Sequence, residues 1–189
     1  TRHRRSPYHA HALSTRPIER EVLLEGDLFS VERCAWTTAN GIRKTGSIVR
    51  HPGAVTVVPK LQNGRLMMVK NWRLAVGGPL LEFPAGKLEP GEHPQDAACR
   101  ELQEETGCRC LQVKPIGTFF ASPGFADELM HVFAAEAVDD GVPAPEVGEE
   151  VEPASLTVDQ FENMIAAGQI QDGKTLAAWQ LWKQWSEAH

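Results

Sequence analysis

Three glutamates, Glu101, Glu104 and Glu105, stand at i, i+3 and i+4. On a helix, 100° per residue gathers them within an arc of about 100° on one face. Like charges so placed repel, and a face that needed only solubility would more often mix its signs. The triad is therefore costly unless a cation sits over it. Carboxylate oxygens are hard donors that suit Mg²⁺, with Mn²⁺ as the alternative. Arg100 has the spacing to hold the rotamer of Glu104, and Glu92, a turn or more upstream, can orient the cluster from behind. Taken alone, the same triplet also describes a solvated helix face.

The chemistry needs a helix, and the sequence supplies both its ends. Pro94 suits a first turn, and Gly107 stands where a left-handed cap would close a helix over 94–106. Pro90-Gly91 makes 87–92 a tight loop before it. Upstream the chain reads as strands at 21–24 and 29–36, in a segment reaching Val49, and at 54–58, 66–69 and 79–83. Asn40-Gly41 and Asn63-Gly64 supply hairpin turns. Downstream, strands are predicted near 113–121 and 129–138, a loop over 139–153, and helices over 158–167 and 175–186. The last helix offers Leu176, Trp179, Leu181, Trp182 and Trp185 to a core.

A chain of 189 residues, 42% apolar and 23% charged, has the size of one domain and is neither disordered nor fibrous. It has no run of ~18 apolar residues, so a membrane partner is not expected. A sequence pI of 5.6 argues against a nucleic-acid partner. Cys34, Cys99, Cys108 and Cys110 form no CxxC pair and read as reduced thiols of a cytoplasmic protein. Residues 1–17 carry Arg and His without an acid and lack the apolar core of a secretory signal, so a flexible basic tail is expected there. Charge is divided along the chain: the 59 residues from Pro115 to Gly173 contain twelve carboxylates and no Lys or Arg, leaving a net charge of +6 on the rest.

The stretch Gly86-x₅-Glu92-x₇-Arg100-Glu101-Leu102-x-Glu104-Glu105-x-Gly107-Cys108 resembles the Nudix box of the Nudix hydrolases at every fixed position. Chance agreement at a given start is on the order of 10⁻⁸. Cys108 stands where a larger aliphatic is usual, at a packing position. Arg50-His-Pro-Gly-Ala-Val-Thr-Val, Asn71-Trp-Arg73, Leu81-Glu-Phe-Pro-Ala-Gly86 and Ser122-Pro-Gly-Phe-Ala-Asp-Glu128 look like blocks of the ADP-ribose pyrophosphatase branch, and Pro123 falls sixteen residues after Gly107, as in that branch.

The resemblance implies an α/β/α sandwich with a mixed sheet over 51–189. It also implies a homodimer in which the β-rich segment 18–50 helps to build the substrate site. By similarity, the Ala85 carbonyl, Glu101 and Glu105 would hold Mg²⁺, with Glu104 on the metal or just behind it. Arg50, Arg73 and Glu82 would meet the substrate, as would the loop at Pro123 and Gly124. The catalytic set would be Arg100 with a loop glutamate as general base: Glu149 by registering Val151-Glu152 with the family's pattern, or Glu150. Trp36 and Phe29 are candidate surfaces for adenine. The implied reaction is ADP-ribose and water giving AMP and ribose 5-phosphate. Cleavage of another nucleoside diphosphate sugar such as GDP-mannose, and non-catalytic sensing of ADP-ribose, are the alternatives.

Overall fold

The computed structural model describes residues 18–145 and 148–188, so the basic segment 1–17 lies outside the described residues. The chain divides into two compact units, 1–50 and 51–189. In the first, β1 (Ile18–Glu25), β2 (Ser30–Thr37) and β3 (Arg43–Arg50) form an antiparallel meander. Gly41 closes its second hairpin at φ 80°, a left-handed position that glycine takes without steric cost. Directly opposed Glu21 and Arg33 form an ion pair at 2.8 Å. Strand β1 is exposed along its whole length, Ile18, Val22, Leu23 and Leu24 included.

The second unit contains β4 (Ala54–Leu61), β5 (Leu66–Arg73), β6 (Gly78–Glu82), β7 (Ala85–Lys87), α1 (Pro94–Thr106), β8 (Cys108–Phe120), β9 (Leu129–Asp139), β10 (Val151–Leu156), α2 (Val158–Ala166) and α3 (Gly173–Ala188). Its strands make one mixed sheet in the order β10-β5-β4-β9-β8, with β6 paired to β5 and β7 to β4. The β4–β9 pair is parallel. Strand β4 is buried at every position but Lys60, as its near-continuous apolar run requires of a central strand covered on both faces. Val55 and Val57 face a cluster with Ala97, Ala98 and Leu102 of α1. Val58 faces the opposite cluster, with Phe83, Phe161 of α2 and Trp179 of α3. Helices on both faces of a mixed sheet make the expected α/β/α sandwich.

Local expectations need four corrections. Lys87, expected to open the 87–92 loop, instead ends strand β7, which pairs with β4, Ala54 opposite Lys87. Strand β8 starts at Cys108 and carries irregularities at Cys110/Gln112 and Pro115/Gly117, which let Pro115 sit in an edge strand. The end of the predicted 139–153 loop is strand, since Val151–Leu156 pairs with β5 and places Pro153 opposite Val69. Strand β10 is also an edge, where a missing N–H is tolerated. On α3, Leu176 is exposed; Thr175, Ala178 and Trp179 form the buried face.

One departure from a regular sheet builds the site. Strands β4 and β5 pair at their turn, Lys60 opposite Leu66; farther along, β5 takes β6 and β4 takes β7. The Phe83-Pro84 turn thus lies between splayed strands, and the Pro84 carbonyl accepts from Val57 N at 2.9 Å. Phe83 is fully buried, 5.2 Å from the Phe161 ring and 6.4 Å from Trp179. Burying such a side chain stabilises by roughly 1.5–3 kcal/mol, which fixes the backbone on either side of it, at Glu82 and Ala85.

Candidate active site

Helix α1 is placed by its ends and by two alanines. The His93 side chain accepts from Gln95 N at 3.3 Å at the N-terminus. Gly107, at φ 74°, closes the C-terminus by donating to the Gln103 carbonyl. Ala97 and Ala98, both fully buried, let the helix close on the sheet. One turn later the same face carries Glu101 and Glu105, which are therefore buried against β7, while Glu104 stays half-buried. Ala85 N donates to Glu105 Oε2 at 3.1 Å. Gly86 has no room for a side chain, because a Cβ there would fall on the Glu101 carboxylate.

Arg100 binds the loop to the helix. Its Nε and Nη2 meet the two Glu92 oxygens at 2.9 and 3.0 Å. Its Nη1 reaches Glu101 at 2.7 Å and Glu104 at 2.9 Å. Glu92 thus acts on the triad through Arg100, whose hydrogen bonds hold the Glu92 carboxyl below its usual range. With these partners Arg100 serves as a positioning group for the carboxylates.

A second ion-pair chain lies on β5 and β6. Arg73 grips Glu82 side-on, Nε to Oε1 at 2.9 Å and Nη2 to Oε2 at 2.6 Å. Glu82 is 1% exposed and also receives Lys174 Nζ, from the first turn of α3. Lys174 escaped the sequence reading. Its one signal is that it is the first cation after the 59 cation-free residues, and its partner is 92 positions away.

The two base candidates, Glu149 and Glu150, precede β10, whose partner is β5. Met67 packs on the α1 side and Met68 on the other, so by alternation Val69, Asn71 and Arg73 face α1. Val151 opposes Asn71, and Trp72 N donates to the Glu150 carbonyl at 3.2 Å. Carrying that register outward puts Glu149 opposite Arg73 on the α1 side, and Glu150 with Trp72 on the other. Glu149 and Glu150 both line one small cleft of about 170 Å³, with Asn71, Trp72, Arg73 and Gly148. Pro123 and Gly124 lie on a different loop, the β8–β9 turn, stapled by Phe125 N and Ala126 N donating to the Ser122 carbonyl. Arg50 ends β3 in the first unit, with Nε on Glu32 at 2.8 Å.

The sequence model of the NUDIX domain matches residues 50–179. The chain belongs to the Nudix hydrolase family. It is similar to an ADP-ribose pyrophosphatase of Bacillus subtilis (strain 168), 36% identical over 88% of this chain and 91% of that one. A methanol dehydrogenase activator of Bacillus methanolicus is 36% identical over 85% and 88%. A GDP-mannose pyrophosphatase of Yersinia enterocolitica is 33% identical over 67% and 71%. Among solved structures it resembles an ADP compounds hydrolase with a TM-score of 0.78, 20% identity and coverage of 94% and 97%, a likeness of fold.

Nudix hydrolases generally need divalent cations, and the residues present fit one. Burial pushes the Glu101 carboxyl up to about 7, against the pull of Arg100. Burial pushes Glu105 up to about 8, against the Ala85 N–H, and the charge of Glu149 raises both. Hard oxygen donors held close together, desolvated and short of positive charge are what a divalent cation would relieve. Among the described residues no three His, Cys, Asp or Glu side chains close on one point.

These shifts give a sign for the pH dependence of stability. Both carboxyls hold protons more tightly in the folded than in the unfolded chain, so the metal-free protein loses stability as pH rises from about 4.5 through 7 to 8. Glu92, shifted down, acts only below its ordinary range of about 4.5 and does not overlap this window. In EDTA the melting temperature is therefore expected to fall between pH 5.5 and 8.0, and Mg²⁺ is expected to restore it at pH 8.0. A melting temperature that rises with pH in EDTA would contradict the desolvated state of these two side chains.

Proposed function

We propose that this Nudix hydrolase cleaves the pyrophosphate bond of ADP-ribose with Mg²⁺, or Mn²⁺, giving AMP and ribose 5-phosphate. The observation that carries it is the gathering of buried Glu101 and Glu105, the loop acid Glu149 and the exposed-edged Arg73 on one side of the sheet. The choice of ADP-ribose rests on the Bacillus subtilis relative, matched over 91% of its length.

The Ala85 carbonyl, Glu101 and Glu105 would hold the cation, and Glu104, fixed by Arg100, would join them or stand just behind. When bound, the cation screens the phosphoryl oxygens and lowers the pKa of the attacking water. Glu149 takes that water's proton. Arg73, anchored through Nε and Nη2 on Glu82, keeps the rest of its planar fork for a phosphate. Arg50 and the Pro123-Gly124 turn are the further substrate contacts. Retention of Glu101, Glu104 and Glu105 together counts against a sensor without activity.

The first unit serves a homodimer in this account. A three-stranded meander with Ile18, Val22, Leu23, Leu24, Leu28 and Phe29 exposed cannot bury its apolar surface by itself, and a second copy would cover it. Among the described residues no helix is long and apolar enough to cross a membrane, and four free cysteines support a reducing compartment, the cytoplasm. The Yersinia relative supports a second substrate reading, GDP-mannose. A panel of nucleoside diphosphate sugars in Mg²⁺ decides between them: the highest kcat/KM is expected for ADP-ribose, and faster release of GMP from GDP-mannose would overturn that choice.

A further inference from the structure

Lys174 occupies a place that helix energetics disfavours. It is the second residue of α3, and a cation in a first turn meets the positive end of the helix dipole. Only acidic neighbours make the place tolerable, and it has two. Its Nζ meets Asp172 Oδ1 at 3.0 Å and also Glu82 Oε2. The other Asp172 oxygen accepts from Thr175 N at 2.9 Å and Thr175 Oγ1 at 2.6 Å. That hydroxyl oxygen accepts from Phe83 N at 3.0 Å, the residue after Glu82. The lysine is thus built onto the β6–β7 turn from across the fold, and its side chain is only 17% exposed.

The charges explain why. A carboxylate that is 1% exposed needs a counter-ion. If Arg73 were the only one, each phosphate contact would compete with the demand of Glu82 for the same guanidinium. With a second cation on Oε2, that demand is shared, and Arg73, whose side chain is 38% exposed, can turn charge outward. We propose that Lys174 is a positioning residue for substrate binding: it supplies Glu82 with a second cation and so leaves the Arg73 guanidinium available to a phosphate of the substrate. The inference rests on the proposed phosphate-binding role of Arg73.

The test compares wild type, Lys174→Met, Lys174→Arg, Glu82→Gln and the Glu82→Gln/Lys174→Met double variant. With ADP-ribose and Mg²⁺, Lys174→Met is expected to raise KM about tenfold while kcat stays within about threefold, and Lys174→Arg to keep both near wild type. In the Glu82→Gln background the further loss on adding Lys174→Met is expected to shrink below about twofold, since the charge it answers is gone. Equal losses in both backgrounds, or a fall in kcat with KM unchanged, would overturn the proposal. A substrate-free readout keeps the two proposals apart: the Arg73 Nε–H NMR resonance, assigned with Arg73→Lys. It is expected to shift downfield and exchange more slowly with solvent in Lys174→Met, as Glu82 turns wholly onto Arg73. An unmoved resonance overturns the role of Lys174 even if wild type hydrolyses ADP-ribose. A moved resonance in an enzyme inactive on ADP-ribose upholds it and overturns only the substrate.

Discussion

Glu105→Gln is expected to lower kcat for ADP-ribose by about 10²–10⁴-fold, because it removes a charged oxygen donor from the cation. The same change is expected to leave the metal-free protein at pH 8 as stable as wild type or more so. The reason is the environment of Glu105. It is 2% exposed, and its ionised form is disfavoured by burial and by Glu101 and Glu149, so a neutral isostere removes a penalty. Activity and stability should therefore move in opposite directions. Glu101→Gln should lose activity similarly but gain less stability, since the Glu101 carboxylate also accepts from Arg100 at 2.7 Å. Steady-state kinetics with Mg²⁺ and thermal melting in EDTA check both halves. A Glu105→Gln enzyme that loses stability along with activity would mean that this carboxylate holds the fold together and is not reserved for a cation.

The second large effect separates two adjacent residues of one type. Glu149→Gln is expected to reduce kcat by about 10²–10³-fold, whereas Glu150→Gln should change kcat by less than about threefold. The register predicts this difference. Continued past Val151, that register would set position 149 opposite Arg73 on the α1 side and position 150, whose carbonyl accepts from Trp72 N, on the other. The Glu149 charge also reaches Glu101 and Glu105. Equal losses for the two variants, or a larger loss for Glu150→Gln, would move the base by one residue and the water with it.

Helix α1 was legible in the sequence because its signals are local. Pro94, Gly107 and the i, i+3, i+4 glutamates fix the 94–106 limits that the structure shows. The Arg100–Glu104 pair follows from the same spacing. What escaped depends on partners far along the chain. Three residues, 85–87, carry too little pattern to be read as strand, and they become one only because β4 runs beside them. Pro153 argues against a strand unless the strand is known to lie at an edge. The base is a different case: the sequence pattern names Glu149 first and Glu150 second, a difference of one residue that periodicity beside a loop does not fix. Glu92 carried the right expectation by an indirect route, since its two oxygens are spent on Arg100.

The divided charge also reads differently in the folded chain. The cation-free stretch supplies Glu149, and the first cation after it, Lys174, is used at once on Glu82. The acids of α1 do the opposite. Glu101 and Glu105 are buried without a cation of their own in sufficient number, and that shortage is what the proposed Mg²⁺ makes good.

The most direct test is chromatographic product analysis of ADP-ribose incubated with wild-type enzyme at pH 8, in Mg²⁺ and in EDTA, beside Glu105→Gln in Mg²⁺. AMP and ribose 5-phosphate should appear in equal amounts with wild type and Mg²⁺, and fall to near background in the other two. Absence of AMP from the first sample, or its formation at a comparable rate in EDTA or with Glu105→Gln, would contradict a cation-dependent pyrophosphatase built on these carboxylates.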